Sequence, residues 1–389
     1  MVTLQTADNA LKSFYLDAVK DGINTRVNPL LAMIESTSAN VVGKDVKKAV
    51  RVGMNGGINA GTETGDLPKA GENQYRVFTA SLKNLYGTIE ISDKAIRASA
   101  SNEGAFVNLL NDEMEGLIKS ATVNLGRMLF GDGKGIITYV DEFINEVSVK
   151  VKSVANLTEG MYVSFTTISG TVEPDAINRK IVKIDRKTRV ITLEGDPIYA
   201  PMVPSGSGVY VQTSLGQELT GLEAIFSEFP IYGVNRDCKA MQPYKQTDVG
   251  DITENILQKA IDDIEDNSGS KVNIIICSKG VRRALAEYYQ QYKTMLPTME
   301  IAGGYTALSF NGIPVVADRF CPEGTMYLLN TNDFKLHQLC DWQWLEGEDG
   351  KILKQIAGKP VYTATLVKYV ELMCENICGQ GKLSDINEK

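Results

Sequence analysis

The sequence predicts an α+β chain built from more than one packed lobe, and three features carry that prediction. Its 389 residues exceed the roughly 250–300 at which a single hydrophobic core stops growing. Residues 103–130 carry apolar side chains at helical spacing over an unusual length. Residues 142–214 instead break into short β-type runs separated by turn signals, and mixed helix and strand patterning returns from residue 215.

Residues 1–50 open with a short helix expected over 10–18, pass through Pro29-Leu30-Leu31, and reach a Ser/Thr/Asn-rich stretch at 36–40. The segment holds too little hydrophobic mass for a core of its own and reads as an arm that packs on something else. Next, Gly53, Gly56, Gly57, Gly61 and Gly65 lie among polar neighbours ahead of Pro68, which specifies extended and mobile backbone. The return limb, residues 75–82, alternates like a strand. Together the limbs predict a long two-stranded projection, and an isolated hairpin is only marginally stable in water. A neighbouring copy is the expected surface beneath it, with Gly56, Gly57, Gly61, Thr62, Glu63, Gly65, Asp66, Leu67, Pro68 and Lys69 as candidate inter-subunit residues.

In the long helix, Val107, Leu110, Met114, Leu117, Ile118, Ala121, Leu125 and Met128 recur at steps of three and four and form its core face. Ser101 or Asn102 is positioned to cap its start and Gly131 to close it. At about 1.5 Å per residue such a helix is roughly 40 Å long, a rod suited to tying distant parts of a thin plate together. The β-type runs that follow are 146–151, 161–165, 180–184, 189–193 and 209–211, and they predict a small all-β insertion. Beyond it, Asp251-Ile252-Thr253-Glu254 reads as a capping box for a helix bearing Ile256, Leu257, Ala260, Ile261 and Ile264. A buried strand is expected at 272–277, a helix at 281–292, strands at 310–316 and 324–329, and a long final strand at 362–373 before a short polar tail.

Composition excludes several functions. A net charge of −8 argues against a dedicated nucleic-acid binder, because affinity for phosphate backbones comes from clustered Lys and Arg. Residues 1–20 mix charges into their apolar positions, unlike a signal peptide, and no run is long and apolar enough to span a bilayer. Six scattered cysteines are expected to be reduced thiols in a cytosolic product. His337 is the only histidine, which removes multi-His metal sites and leaves very little room for imidazole-centred acid–base catalysis, and it reads as satisfied or solvent-facing. Gly131-Asp132-Gly133-Lys134-Gly135 follows a helix and lacks Ser or Thr after the lysine, so it reads as helix termination rather than a phosphate loop. Cys374 and Cys378, placed in one strand, are about 13 Å apart and out of disulfide or shared-metal reach. Asp262, Asp263, Glu265 and Asp266 read as the solvated face of a helix, and Trp342 and Trp344 as a packed edge strand, with a subunit contact as the sharper alternative. No catalytic, cofactor-binding or metal-binding residue is assigned.

The order of these elements resembles the tailed-bacteriophage major capsid protein family, whose shared architecture is called the HK-ninety-seven fold. The resemblance spans residues 51–379 and rests on residues 84–96, residues 113–133, Glu218-Leu219-Thr220-Gly221-Leu222, and Phe310-Asn311-Gly312-Ile313-Pro314-Val315-Val316-Ala317-Asp318. It implies an N-terminal arm at 1–50, an extended E-loop at 51–92, a P-domain with its spine helix at 93–141, an inserted β-rich domain at 142–214, an A-domain at 215–335, and returning P-domain strands with the C-terminal tail at 336–389. It further implies a non-enzymatic shell protein that assembles with itself into hexamers and pentamers, forming an icosahedral virion that encloses double-stranded DNA without sequence-specific binding. The subunit would be made in the cytoplasm of the bacterial host, with a portal protein and no membrane. With about 50 residues ahead of the E-loop, the long scaffolding segment fused in some relatives is not expected, and a separate scaffolding protein is. The insertion is either an outer decoration or a further subunit contact. Some relatives cross-link a loop lysine to a neighbour's asparagine; Lys69 sits in a suitable loop, but no partner can be matched. An encapsulin-like nanocompartment of the same fold is the alternative, and an α/β enzyme with a β accessory domain is disfavoured because no nucleophile, base and orienting group can be assembled.

Overall fold

A computed structural model describes residues 28–95, 103–292, 298–301, 305–347 and 350–389, with side chains in the long helix from Glu113 onward. The helix expected at 10–18 and the caps expected at Ser101 and Asn102 lie outside those residues. The chain divides into two compact units, one formed by Arg127–Ala224 and the other by the remainder.

In the larger unit, one sheet is organised about the 14-residue strand Val361–Cys374. Lys83–Ser92 runs antiparallel along it, from the pair Val361 and Ser92 to the pair Val370 and Lys83. Phe334–Trp344 lies on the other side, its register slipping between Gln338 and Cys340 and again before Gln343. Alternation along Lys83–Ser92 turns Leu85, Ile89 and Ile91 inward. At Gly87 of the same strand a Cβ atom would stand 2.8 Å from Leu117 Cδ1, so glycine allows the helix Glu103–Leu129 to cross at close range. That helix buries Met114, Ile118 and Leu125, while Leu117 and Ala121 are half-buried. Near its end Gly126 serves the same purpose, because a Cβ there would fall 2.2 Å from Asn28 Nδ2 and 2.5 Å from the Phe320 ring. Trp342 and Trp344 are buried, each 5% exposed, and do not present an open strand face.

The second sheet of this unit has seven strands in the order Tyr244–Gln246, Gly381–Leu383, Met326–Leu329, Ile274–Cys277, Ile313–Ala317, Tyr305–Phe310, Thr298–Ile301. Ile274–Cys277 is wholly buried at its centre, as a strand covered on both faces must be. Helices Glu254–Ser268 and Lys279–Tyr292 contribute Leu257, Ala260, Ile264, Val281, Leu285 and Tyr289 to the adjoining core. The capping differs from the sequence reading: Thr253 is the N-cap, its Oγ1 accepting from the Ile256 N–H at 3.4 Å, while the Asp251 carboxylate accepts from Asn387. Thr253 has the extended backbone an N-cap needs and stands immediately before the first helical residue. Residues 310–316 are likewise not one strand. Asn311 and Gly312 adopt φ of 50° and 82° and make the two-residue turn of a hairpin, for which Asn-Gly is the favoured sequence. Cys374 ends its strand and Cys378 sits in the short helical turn Ile377–Gly379, so strand spacing does not separate them.

The smaller unit is a closed barrel in the order Val190–Glu194, Ser148–Val151, Ile136–Asn145, Gly208–Val211, Tyr162–Phe165, Arg179–Asp185. Closure leaves no edge strand to template pairing with other chains. Branched and aromatic side chains fill it, among them Val140, Val149, Val163, Phe165, Ile181, Ile191 and Val209. The first strand begins at Ile136, ahead of the β texture read from 142, because the preceding glycines mask the alternation that starts there.

The end of the long helix lies in this unit and is held by the run Glu218-Leu219-Thr220-Gly221-Leu222. Arg127 and Glu218, 6% and 2% exposed, form a two-pronged ion pair in which Arg127 Nη1 donates to Glu218 Oε2 at 2.8 Å. Leu219 and Leu222 are fully buried beside it. Gly221 rests on the helix terminus, where a Cβ would lie 2.4 to 2.7 Å from the carbonyl oxygens of Met128, Leu129 and Gly131. Gly131 does not supply the left-handed residue. The last turn tightens through Phe130 N–H to Arg127 O and Gly131 N–H to Met128 O, and positive φ first appears at Gly133 and Gly135.

His337 is neither solvent-facing nor fully satisfied. It is 1% exposed, donates from Nδ1 to the Ala39 carbonyl at 2.9 Å, and has no partner for Nε2 among the described residues. The contact fixes the orientation of the ring and ties down the chain just beyond the strand Glu35–Thr37, which runs parallel to Phe334–Trp344 and adds the Glu35–Lys335 ion pair. Burial lowers the His337 pKa below 6.5; the hydrogen bond to Ala39 and the charge of Glu375 oppose the shift, and Lys48 and Lys335 add to it.

Two predictions follow from these buried charges. Truncating Glu218 to Ala removes the carboxylate that neutralises the buried Arg127 guanidinium and is expected to cost about 3–5 kcal/mol, whereas replacing both partners with Met and Leu costs less than either single change; calorimetric unfolding compares them. For His337 the unfolded chain takes the proton first, so its contribution is complete above pH ~6.5 and is lost as the pH falls below that value. Asp318, pushed up to about 6 mainly by burial, acts with the opposite sign. The expected result is therefore a shallower acid loss of urea midpoint in His337→Gln than in the parent chain.

Candidate assembly surface

Strands Asp45–Gly53 and Gln74–Ser81 pair along their length and form, with Val41–Val42, a three-stranded ribbon. One face of the ribbon is seated. Val46, Phe78 and Ala80 are buried, and the Phe78 ring lies 5.5 Å from that of Tyr232. Tyr232 is the anchor: its hydroxyl donates to Leu372 O and accepts from the Cys374 N–H, each at 3.1 Å, while its carbonyl accepts from the Thr79 N–H. Complete burial pushes the Tyr232 pKa well up, so the hydroxyl keeps its proton for the first of these bonds. Lys48 pairs with Glu375 at the same edge. The opposite face leaves Tyr75 and Val77 more than half exposed.

Between the strands, residues 54–73 have no regular structure. Their neck is closed by Asn55, whose Nδ2 donates to Gly71 O at 2.9 Å and whose Oδ1 accepts from the Gly57 N–H at 2.8 Å. Gly57 and Gly71 are required there. A Cβ on Gly57 would approach Gly71 N to 2.7 Å, and one on Gly71 would approach Asn55 Oδ1 to 2.3 Å. At the tip the chain turns through Thr62 to Gly65, with Gly65 N–H donating to Thr62 O. Glycine at 65 spares a 2.7 Å contact with Thr62 Oγ1, whereas Gly56 and Gly61 face open space. Thr62, Glu63, Asp66, Leu67 and Lys69 are exposed, and Pro68 and Gly57 are half-buried. Met54, Ile58 and Leu67 are 84%, 86% and 91% exposed, three large apolar side chains on a segment without a core.

The structure thus gathers the loop candidates into one projection and puts Met114, Leu125 and Met128 of the helix in buried positions remote in character from it. Val107 and Leu110 lie where side chains are not described. Sequence reasoning missed Asn55, Gly71 and Tyr232. The first two had a signal in the pairing of Asn55-Gly56-Gly57 with a later glycine; Tyr232 sits in an irregular segment and had none. Among the described residues no group of three or more His, Cys, Asp or Glu side chains is arranged to hold a metal ion, and no helix is long and apolar enough to cross a membrane.

Comparison with known proteins adds the family. Residues 23–350 match the family model described as SU10 major capsid protein. No curated protein matches the chain. Among solved structures, a chain of the cyanophage A-1(L) capsid asymmetric unit superposes with a TM-score of 0.57 at 11% identity, covering 92% of this chain and 93% of its own. That likeness establishes a shared fold. A chain from Mycobacterium phage Bobi reaches a TM-score of 0.47 at 10% identity, over 94% of this chain and 92% of its own. The holo-SrpI encapsulin of Synechococcus elongatus PCC 7942 reaches 0.46 at 9% identity, over 96% and 95%.

Exposed apolar side chains held on a clamped neck are expected to be needed for association and irrelevant to folding. Ile58→Asp combined with Leu67→Asp should leave the thermal midpoint unchanged while abolishing higher-order species in light scattering; a lowered midpoint would show that the loop packs within its own chain.

Proposed function

This chain belongs to the SU10 major capsid protein family, and from that premise we propose that it builds a closed icosahedral head shell from hexamers and pentamers of itself around the double-stranded DNA of a tailed phage. A capsid assembled from copies of the chain, as a component of the virion, follows from the family. The finer reading rests on one observation: residues 54–73 expose Met54, Ile58 and Leu67 on a projection whose base is anchored by Tyr232 and whose neck is closed by Asn55. Such a segment is stable in its extended form only when another surface covers it.

In this proposal the projection lies over the adjacent subunit, residues 1–50 reach a further one, and the helix Glu103–Leu129 braces the subunit between them. Repeated heterologous contacts close into rings, and many modest interfaces stabilise the lattice together. The seven-stranded sheet domain supplies the loops that meet about each ring axis. The barrel of residues 136–211 stands as a decoration or a further contact, and a separate scaffolding protein and a portal protein complete the assembly. The net charge of −8 suits a wall that contains nucleic acid without gripping it. The role is structural rather than enzymatic. A cargo-enclosing nanocompartment has no observation that favours it over the phage shell.

Electron microscopy of the purified chain, alone and with a candidate scaffold, tests the proposal alongside light-scattering mass. Rings of five and six, or closed particles, sheets and tubes built from them, are the expected outcome. A monodisperse monomer under both conditions would overturn it.

A further inference from the structure

We propose that Asn55 is a site of spontaneous deamidation, and that its conversion to aspartate or isoaspartate unlocks the neck of the projection. In an Asn-Gly pair the asparagine side chain is unusually open to attack by the following backbone nitrogen, because glycine has no Cβ to obstruct it. The pair occurs twice in the chain, at Asn55-Gly56 and Asn311-Gly312. At the first, the Gly57 N–H donates to Asn55 Oδ1 at 2.8 Å and closes an Asx turn. The ring closed by that bond runs through Asn55 Cγ, Cβ, Cα and carbonyl carbon and the Gly56 nitrogen, which are the ring atoms of the succinimide that deamidation forms. The turn therefore folds the side chain back toward the nitrogen that attacks it, and the Gly57 N–H is already directed at the oxygen on which charge develops. Asn55 and Gly56 are both exposed, on a segment with no regular structure. Asn311 is held differently. It occupies the hairpin turn with φ of 50°, its flanking strands are paired up to Phe310 and Ile313, and its Nδ2 donates at 2.7 Å to Gln258 of the helix Glu254–Ser268.

The reaction needs only water. Hydroxide takes the Gly56 amide proton, the nitrogen attacks Asn55 Cγ, and Nδ2 gains a proton and leaves as ammonia. Water then opens the succinimide at either carbonyl, so the chain exchanges an NH for an oxygen with no change of oxidation state. The group that leaves is the one that holds the neck. Asn55 Nδ2 donates to Gly71 O at 2.9 Å, and the oxygen that replaces it is a charged acceptor facing another acceptor. Gly57 and Gly71 lie so close that a Cβ on Gly57 would stand 2.7 Å from Gly71 N, and the Asn55 amide is the bridge across that approach. Isoaspartate also lengthens the backbone by one carbon inside the turn. The tip bearing Ile58 and Leu67 then loses its fixed base. The modification itself is independent of the proposed shell; its consequence, a timed loss of competence for subunit contact, rests on that reading.

The test incubates the purified full-length chain, unassembled, in mildly alkaline buffer made with oxygen-18 water. Peptide mass spectrometry should show residue 55 gaining about 3 Da, largely as isoaspartate, at least roughly tenfold faster than residue 311. Gly56→Val, at a position outside the left-handed region where an added Cβ meets nothing within 4 Å, should block the conversion without moving the thermal midpoint. Asn55→Asp, which installs one product, should be cut within residues 54–73 by a nonspecific protease several times faster than the parent chain, again at an unchanged midpoint, and should build fewer closed particles. Conversion at Asn311 as fast as at Asn55, or an Asn55→Asp projection cut no faster than the parent's, overturns the proposal. A normal particle yield from Asn55→Asp overturns its consequence for the shell. Absence of particles from the parent chain would instead count against the shell reading, and the measurements on the unassembled chain would still decide the modification.

Discussion

The close crossing of the helix Glu103–Leu129 over the strand Lys83–Ser92 is the constraint from which the larger unit is built. It exists because Gly87 has no Cβ to meet Leu117. With the helix seated there, Met114, Ile118 and Leu125 form a continuous buried stripe, and the strand beneath pairs along ten successive positions with Val361–Cys374. That long strand in turn receives Phe334–Trp344 and, through Leu372 and Cys374, the Tyr232 hydroxyl that anchors the ribbon. Adding a side chain at Gly87 would therefore act on a helix, two strands and the base of the projection at once, since interiors packed at crystal-like density transmit a displacement rather than absorb it.

Polar groups inside this framework specify arrangement more than they add stability. Lys368, with only 5% of its side chain exposed, donates to Gln338 and Asp341 from a strand centre, and the two register slips in Phe334–Trp344 turn these partners toward it. Arg127 and Glu218 do the same at the end of the helix. A buried pair of this kind gains little over apolar residues of equal volume, because desolvation offsets the Coulomb attraction. What it does is penalise alternatives, for any packing that separates the partners takes the paired carboxylate away from a buried Lys368 or Arg127 cation. The buried His337 imidazole adds a contact of the same kind, its Nδ1 donating to the Ala39 carbonyl just beyond the strand Glu35–Thr37, which pairs in parallel with Phe334–Trp344.

Much of the fold was legible because periodicity survives where elements are long. The helix, the final strand, the short strands of the barrel and the glycine-rich projection all announce themselves through spacing and turn residues. Misreadings cluster where local signals compete. Asp251 and Thr253 are both good N-caps, and only the backbone conformation chooses Thr253. Asn311-Gly312 is a strong hairpin turn but sits inside an apolar run that also reads as a strand. Gly131 precedes two further glycines, and the position of the left-handed residue depends on how Gly221 seats against the helix end. In the projection the candidate residues were legible by composition, but the clamp was not. Asn55 is joined to Gly71 across 16 residues, and Tyr232 reaches Leu372 across 140, so neither contact leaves a local pattern.

The projection also shows why abundant glycine need not mean looseness. Gly56 and Gly61 face open space and confer freedom, but Gly57 and Gly71 stand where two backbones nearly touch and confer shape. The neck is therefore fixed while the tip can adapt, a combination suited to a contact that repeats in unequal surroundings. Rings of five and six present slightly different distances between neighbours, and a rigid arm would satisfy only one of them. A wholly flexible arm would lose its ordering entropy anew at every contact, about 1–2 kcal/mol for each residue fixed. In the proposed shell, clamping the base with Tyr232 and the neck with Asn55 would confine that loss to the few residues bearing Ile58 and Leu67, where burial of apolar surface against a neighbour, at roughly 25 cal/mol per Å², would offset it.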